Sequence, residues 1–174
     1  MSRTDDTGAL RLGLGAVLAL TLWRVVMLHF DRTELYVDES QYWFWGQNLD
    51  FGYYSKPPMI AWVIRAVTDL AGSSSPFWVR LPAPLFHAGT ALVLMAVAGR
   101  LYGARIAAWA GPVWLLLPMV TLGSALFSTD TVMLFFYALA LWCWLGLQRR
   151  GAARGALALA MGISIGLGCC QNTL

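Results

Sequence analysis

This sequence predicts an all-α, polytopic membrane fold, and three observations support the prediction. Of its 174 residues 59% are hydrophobic and 12% charged, about half the charged share of ordinary soluble domains. Mean hydropathy is +0.62. Apolar runs of bilayer length recur along the chain, separated by short polar connections. The expectation is about five transmembrane helices, plus two juxtamembrane surface helices in the first external loop.

The first span is expected over about Leu10–Phe30, LRLGLGAVLALTLWRVVMLHF. No small-residue cleavage site follows it, so it reads as a retained span rather than a removed leader. Arg24 is expected to snorkel towards the far interface, the alternative being that it faces other helices. From Asp31 to Arg80 the pattern changes. Asp38 to Leu49 (DESQYWFWGQNL) predicts a helix with an acidic first turn and an aromatic, interfacial character. Pro57 or Pro58 then suits the first turn of a second short helix, MIAWVIRAVTDL. Its Arg65 and Asp69 lie four residues apart, as in a helix lying on the membrane surface. AGSSSP is a loop.

Further spans are expected over about Leu81–Leu101, Ile106–Leu122 (with Pro112 and Pro118 as kinks) and Thr131–Leu147. SALFSTD is a tight connection, QRRGAAR a basic loop, and a fifth apolar run starts at Gly155. With even alternation, Arg3, Arg11, Arg100, Arg105, Arg149, Arg150 and Arg154 fall on one side, the cytoplasmic one by the positive-inside rule. Every acidic residue except Asp5 and Asp6 falls on the other. Asp130 therefore shares a face with Asp38, Glu39 and Lys56.

The net charge of +3 is spread over short loops and gives no nucleic-acid patch. Cys143, Cys169 and Cys170 have no disulfide or ligand spacing, and no metal set can be assembled from His29 and His87. The chemistry must sit in Tyr36–Trp62, where Asp38, Glu39 and Lys56 interrupt a run rich in aromatics. A carboxylate at a membrane face can take a proton from an acceptor hydroxyl. Asp38 and Glu39 can equally cap the helix they open, and the residues leave both readings open. Lys56, the sole lysine, is held extended by Pro57 and suits a phosphate; an ordinary snorkelling lysine is the alternative. Asp130 reads first as a helix N-cap shared with Ser128 or Thr129, and second as a further acid, base or metal-binding group. Arg65 and Arg80 are candidate phosphate contacts, solvation being the plainer reading of Arg65. The Tyr42–Trp45 run reads as an interfacial anchor, with sugar stacking secondary.

The segments DESQYWFWGQNL, GYYSKPPMIAW, VRLPAPL and PMVTLGSALFSTDTVMLFFYALALW, in this order and topology, resemble the N-terminal part of the polyprenyl-phosphate-sugar-dependent glycosyltransferases. That group includes the protein O-mannosyltransferases and the bacterial lipid A aminoarabinose transferases. The resemblance implies a C-type glycosyltransferase fold in a bacterial inner membrane, with two surface helices in the first external loop. It implies an inverting transfer from a sugar linked to undecaprenyl or dolichyl phosphate. Asp38 would be the acidic residue of the catalytic centre, with Glu39 its neighbour and Asp130 the second external carboxylate. Lys56 would contact the carrier phosphate, with Tyr54 and Arg80 completing the substrate-binding set. A divalent metal ion stays open as a cofactor, a membrane lipid is the companion partner, and no nucleic acid is expected.

Members of that family continue through further spans, and commonly read LLSKY after GLG where this chain reads CCQNTL. A shift of one base permits LLSKY, so residues 169–174 are expected to be a frameshifted tail on a truncated product. A non-catalytic membrane fragment is the rival reading. A small transporter is disfavoured by the lack of an inverted repeat and of midplane charges.

Overall fold

A computed structural model describes residues 3–53, 58–148 and 154–169. Tyr54 and Lys56, Arg149 and Arg150, and the tail from Cys170 lie outside the described residues. Within them all regular structure is helical: α1 (Arg3–Phe30), α2 (Val37–Gly46), α3 (Met59–Ala71), α4 (Pro76–Arg80), α5 (Pro82–Tyr102), α6 (Ala104–Leu116), α7 (Pro118–Gly123), α8 (Thr129–Leu147) and α9 (Arg154–Cys169).

Three stretches are long and apolar enough to cross a membrane: Asp6–Phe30, Pro76–Tyr102 and Thr129–Leu147. These answer to the first, second and fourth expected spans. The expectation of five spans plus two surface helices is corrected on the other two counts. The expected span over Ile106–Leu122 is broken. Leu117 is extended (φ −60°, ψ 134°) and Pro118 starts a new six-residue helix, because proline disfavours helical backbone in the residue before it. Pro112, by contrast, stays inside α6. The fifth apolar run forms α9, an apolar helix of 16 residues, about 24 Å long at 1.5 Å per residue.

The break also decides the fate of Arg24. Its guanidinium does not snorkel outward. It turns into the bundle, donating to Ser124 Oγ at 2.8 Å, to Thr121 Oγ1 at 3.2 Å and to the Leu115 carbonyl. Carbonyls of a helix's last turn have no intrahelical donor, and within an apolar slab such a group must be satisfied internally. Arg24 does so.

The helices pack side by side, with α6 lying along both α1 and α5, and α8 between α5 and α9. Small residues allow the close crossings: a Cβ on Gly13 would clash with the backbone of Ala108, and one on Gly89 would lie 2.8 Å from the Phe135 ring. Val17, Ala91, Met95, Leu115 and Val120 form one buried cluster between the long helices. A second cluster lies at the end where α2 and α3 sit, made of Tyr42, Ile60, Ile64, Val79, Ala83, Phe127 and Val132. The short helices join it through one face each: α3 buries Ile60, Ala61, Ile64 and Thr68, a spacing of one helical stripe. Its Arg65 and Asp69 form an exposed ion pair of 2.6 Å on the same helix.

Candidate active site

The site is assembled around Arg80, at the end of α4 and 1% exposed. A buried guanidinium is stable only when paired and hydrogen-bonded, and the chain meets that demand from three directions. Nη2 and Nε reach the Glu39 carboxylate, the shortest contact being 2.7 Å to Oε2. Nη1 donates to Asp31 Oδ2 at 3.1 Å and to Thr33 Oγ1 at 2.9 Å, and Nη2 to the Glu34 carbonyl at 2.9 Å. Arg80 therefore holds the 31–36 connection and the first turn of α2 against the start of α5.

Glu39, 3% exposed, carries two further bonds. Its Oε2 accepts from the Tyr36 backbone N–H at 3.1 Å, the backward half of a capping box. Its Oε1 accepts from the Phe127 N–H at 3.2 Å. That second bond joins α2 to the connection that precedes α8. The paired carboxylates of the sequence thus part company: Glu39 turns inward, while Asp38 beside it is exposed.

Asp130 is exposed as well. It is not at the N-cap expected from STD: Ser128, expected to share that task, occupies the position without a side-chain capping bond, and Asp130 lies in the first turn. The charges of both exposed carboxylates act on the phenol of Tyr42, which lies one helical turn after Asp38 on the same face of α2. Tyr42 is 4% exposed, and burial together with the negative charges of Asp38 and Asp130 raises its phenol above the usual tyrosine value. Carboxylates from separate helices whose charges act on one phenol can accept a proton, and the protonated phenol can donate a hydrogen bond.

Asp31 is a further acidic group that sequence reasoning passed over. The Thr33 backbone N–H, donating at 3.0 Å, lowers its carboxyl below the usual aspartate value; partial burial opposes this, and the Thr33 hydroxyl and Arg80 add to it. The Asp-x-Thr spacing of DRT was the available signal, since such side chains bond the backbone two residues on. Nothing local marked Glu39 and Arg80 as partners, 41 residues apart. The aromatics expected as an interfacial anchor also pack on one another: Trp45 stacks on Tyr53 at 5.0 Å, and the Tyr53 hydroxyl donates to the Trp45 carbonyl at 2.8 Å. Arg65 donates to Gln47 and is paired to Asp69. Among the described residues no three His, Cys, Asp or Glu side chains gather closely enough to hold a metal ion.

Residues 55–172 match the family described as dolichyl-phosphate-mannose-protein mannosyltransferase. Asp130 lies inside the matched stretch and Asp38 outside it, on the N-terminal side. The chain is also 57% identical over 157 residues to the lipid A galacturonosyltransferase RgtD of Rhizobium johnstonii. That alignment covers 90% of this chain and 33% of the relative, so the chain spans about a third of the length of the curated protein it matches. No solved structure matches it.

Proposed function

Because this chain belongs to the dolichyl-phosphate-mannose-protein mannosyltransferase family, we propose that it carries the acceptor-activating part of a membrane glycosyltransferase. The donor is a sugar linked to a polyprenyl phosphate, and the acceptor is a lipid, glycan or protein at the external face of a bacterial inner membrane. The acceptor oxygen attacks the anomeric carbon from the face opposite the phosphate. The sugar–phosphate bond breaks with its electron pair leaving on the lipid phosphate, and the acceptor proton passes to Asp38. Asp130 is the second carboxylate of the centre, orienting the acceptor from the α8 side. Lys56, with Tyr54, takes the phosphate of the carrier, where a cation offsets the charge that builds on the leaving group. Glu39 and Arg80 act by position, fixing where Asp38 and Asp130 stand.

The observation that carries this reading is that the charges of Asp38 and Asp130 both act on one buried phenol, with α2 tied to the connection before α8 by the Glu39 to Phe127 bond. That bond also supports a particular topology. With α2 and the start of α8 at one end of the bundle, the chain returns between Tyr102 and Phe127 through α6 and α7. We therefore propose that α2 and the start of α8 share the external side, with Arg11, Arg100, Arg105 and Arg154 cytoplasmic.

Transfer of radiolabelled sugar from a polyprenyl phosphate, assayed in membranes containing the protein, tests the proposal. Asp38→Asn at unchanged expression is expected to lower transfer by about 100- to 10,000-fold, the usual weight of a positioned base. Full transfer by that variant would sink the assignment. Failure of the unaltered protein to transfer from any carrier would instead favour a non-catalytic role.

A further inference from the structure

His87 is a buried imidazole for which the acidic centre has no use. It lies in the apolar stretch Pro76–Tyr102 and is 3% exposed. Its Nδ1 is buried without a hydrogen-bond partner, which is costly inside an apolar bundle. An apolar side chain of similar size would avoid that cost. What histidine supplies here must come from its other nitrogen.

Nε2 lies where α7 ends and α8 begins. Thr131 Oγ1 is 3.5 Å away, and a Cβ on Gly123 would stand 3.1 Å from the same atom. Thr131 Oγ1 is in turn 3.2 Å from Ser128 Oγ, at the N-cap position of α8. The preceding residue of α5 grips the same connection, with the Phe86 ring stacked on Phe127 at 6.2 Å. Trp114 of α6 flanks the imidazole, with ring centroids 6.3 Å apart. Polar contacts thus run from α5 through Thr131 to the head of α8.

The Thr131 contact governs rotation as well as position. Thr131 is 1% exposed, whereas Asp130 beside it is exposed. Successive helical residues point about 100° apart, so holding Thr131 inward holds Asp130 outward. Apolar contacts are non-directional and tolerate small turns of a helix about its axis. A hydrogen bond weakens steeply off its line, and this one acts on the first turn of α8.

We propose that His87 is a positioning residue: through Thr131 it sets the rotation of the first turn of α8, and so the placement of Asp130. The proposal rests on the reading of Asp130 as the carboxylate that orients the acceptor. It adds a second hold on the head of α8, from α5, to the one that Glu39 makes from α2.

Transfer kinetics in membranes test it, with radiolabelled undecaprenyl-phosphate galacturonate as donor probe and lipid A as acceptor probe. His87→Leu fills the space without a nitrogen, and Thr131→Val exchanges the hydroxyl for a methyl. Each should raise acceptor KM about 10-fold with donor KM unchanged, a split that a mere loss of folded protein would not produce. His87→Gln, whose amide nitrogen reaches about as far as Nε2, should restore much of the loss. The double variant should be no worse than either single one. The proposal is overturned by an unchanged acceptor KM in either single variant, by His87→Gln as impaired as His87→Leu, or by strictly additive losses. A second measurement needs no turnover. Asp130→Asn should shift the ultraviolet titration of Tyr42 less in the His87→Leu background than in the parent. If the unaltered protein transfers nothing, the functional reading fails and this comparison decides by itself: an equal or larger shift in the His87→Leu background overturns the proposal.

Discussion

Arg80 shows how much of this site depends on single side chains. It is the common partner of Asp31, Thr33, Glu34 and Glu39, and lysine could not replace its planar fork. Asp31 gives the knot a pH dependence. Its folded carboxyl lies below the ordinary value of about 3.9, so its contribution is fully present above that pH. The contribution is lost as pH falls through the lower, folded value. Asp31→Asn should therefore flatten the fall in thermal stability between about pH 5 and pH 2, measured in detergent by intrinsic fluorescence. Tyr42 supplies a direct reading of the acidic pair. Its phenol is raised by burial and by both Asp38 and Asp130, so ultraviolet titration, using Tyr42→Phe as the blank, should show late ionisation. Asp38→Asn and Asp130→Asn should each bring it down, and an unmoved curve in either would separate that carboxylate from the phenol.

At the scale of elements, the break between α6 and α7 is held open by a distant residue. The Leu115 carbonyl, with Leu115 itself fully buried, accepts from Arg24 on α1 and from Thr121 on α7. Arg24→Leu removes the main donor without disturbing the apolar surface of α1. It should cost about 1–3 kcal/mol, seen as a lower melting temperature in detergent. An unchanged melting temperature would mean that Thr121 alone satisfies the carbonyl. The sequence announced the proline but not this outcome. Pro112 and Pro118 look alike in the primary structure, yet one is carried inside a helix and the other ends one. Arg24, reaching in from α1, donates to a carbonyl that the break leaves free, and that partner is a tertiary matter.

The whole molecule is a set of rods held together by close crossings. At α1 and α6 the contact is Gly13 on the Ala108 backbone, where any side chain must push the helices apart. Gly13→Leu is expected to cost about 1–3 kcal/mol by overpacking and to lower the monodisperse yield after extraction. A yield equal to that of the parent would show that the crossing relaxes freely. The long apolar runs made three of the helices legible from sequence, because a bilayer demands length and apolarity that nothing else in the chain imitates. The α3 stripe and the Arg65–Asp69 pair were legible for a related reason, since both are contacts within one helix. Placing Asp38 and Asp130 on one face by counting crossings depended on an unbroken span over Ile106–Leu122, and that stretch is a broken helix. The Glu39–Arg80 pairing was hidden, because partners 41 residues apart leave no periodic trace.

The bond from Glu39 to Phe127 is donated by main chain. The amino acid at position 127 therefore contributes a ring to the core but not the group that ties the two acidic helices together. Replacing that side chain would weaken packing and leave the tether untouched, except with proline, which has no N–H to give. A survey that reads importance from side-chain replacement would thus credit this junction to Glu39 alone. The position that shares the work would pass as filler, and the spacing of the acidic pair would look freer to vary than it is.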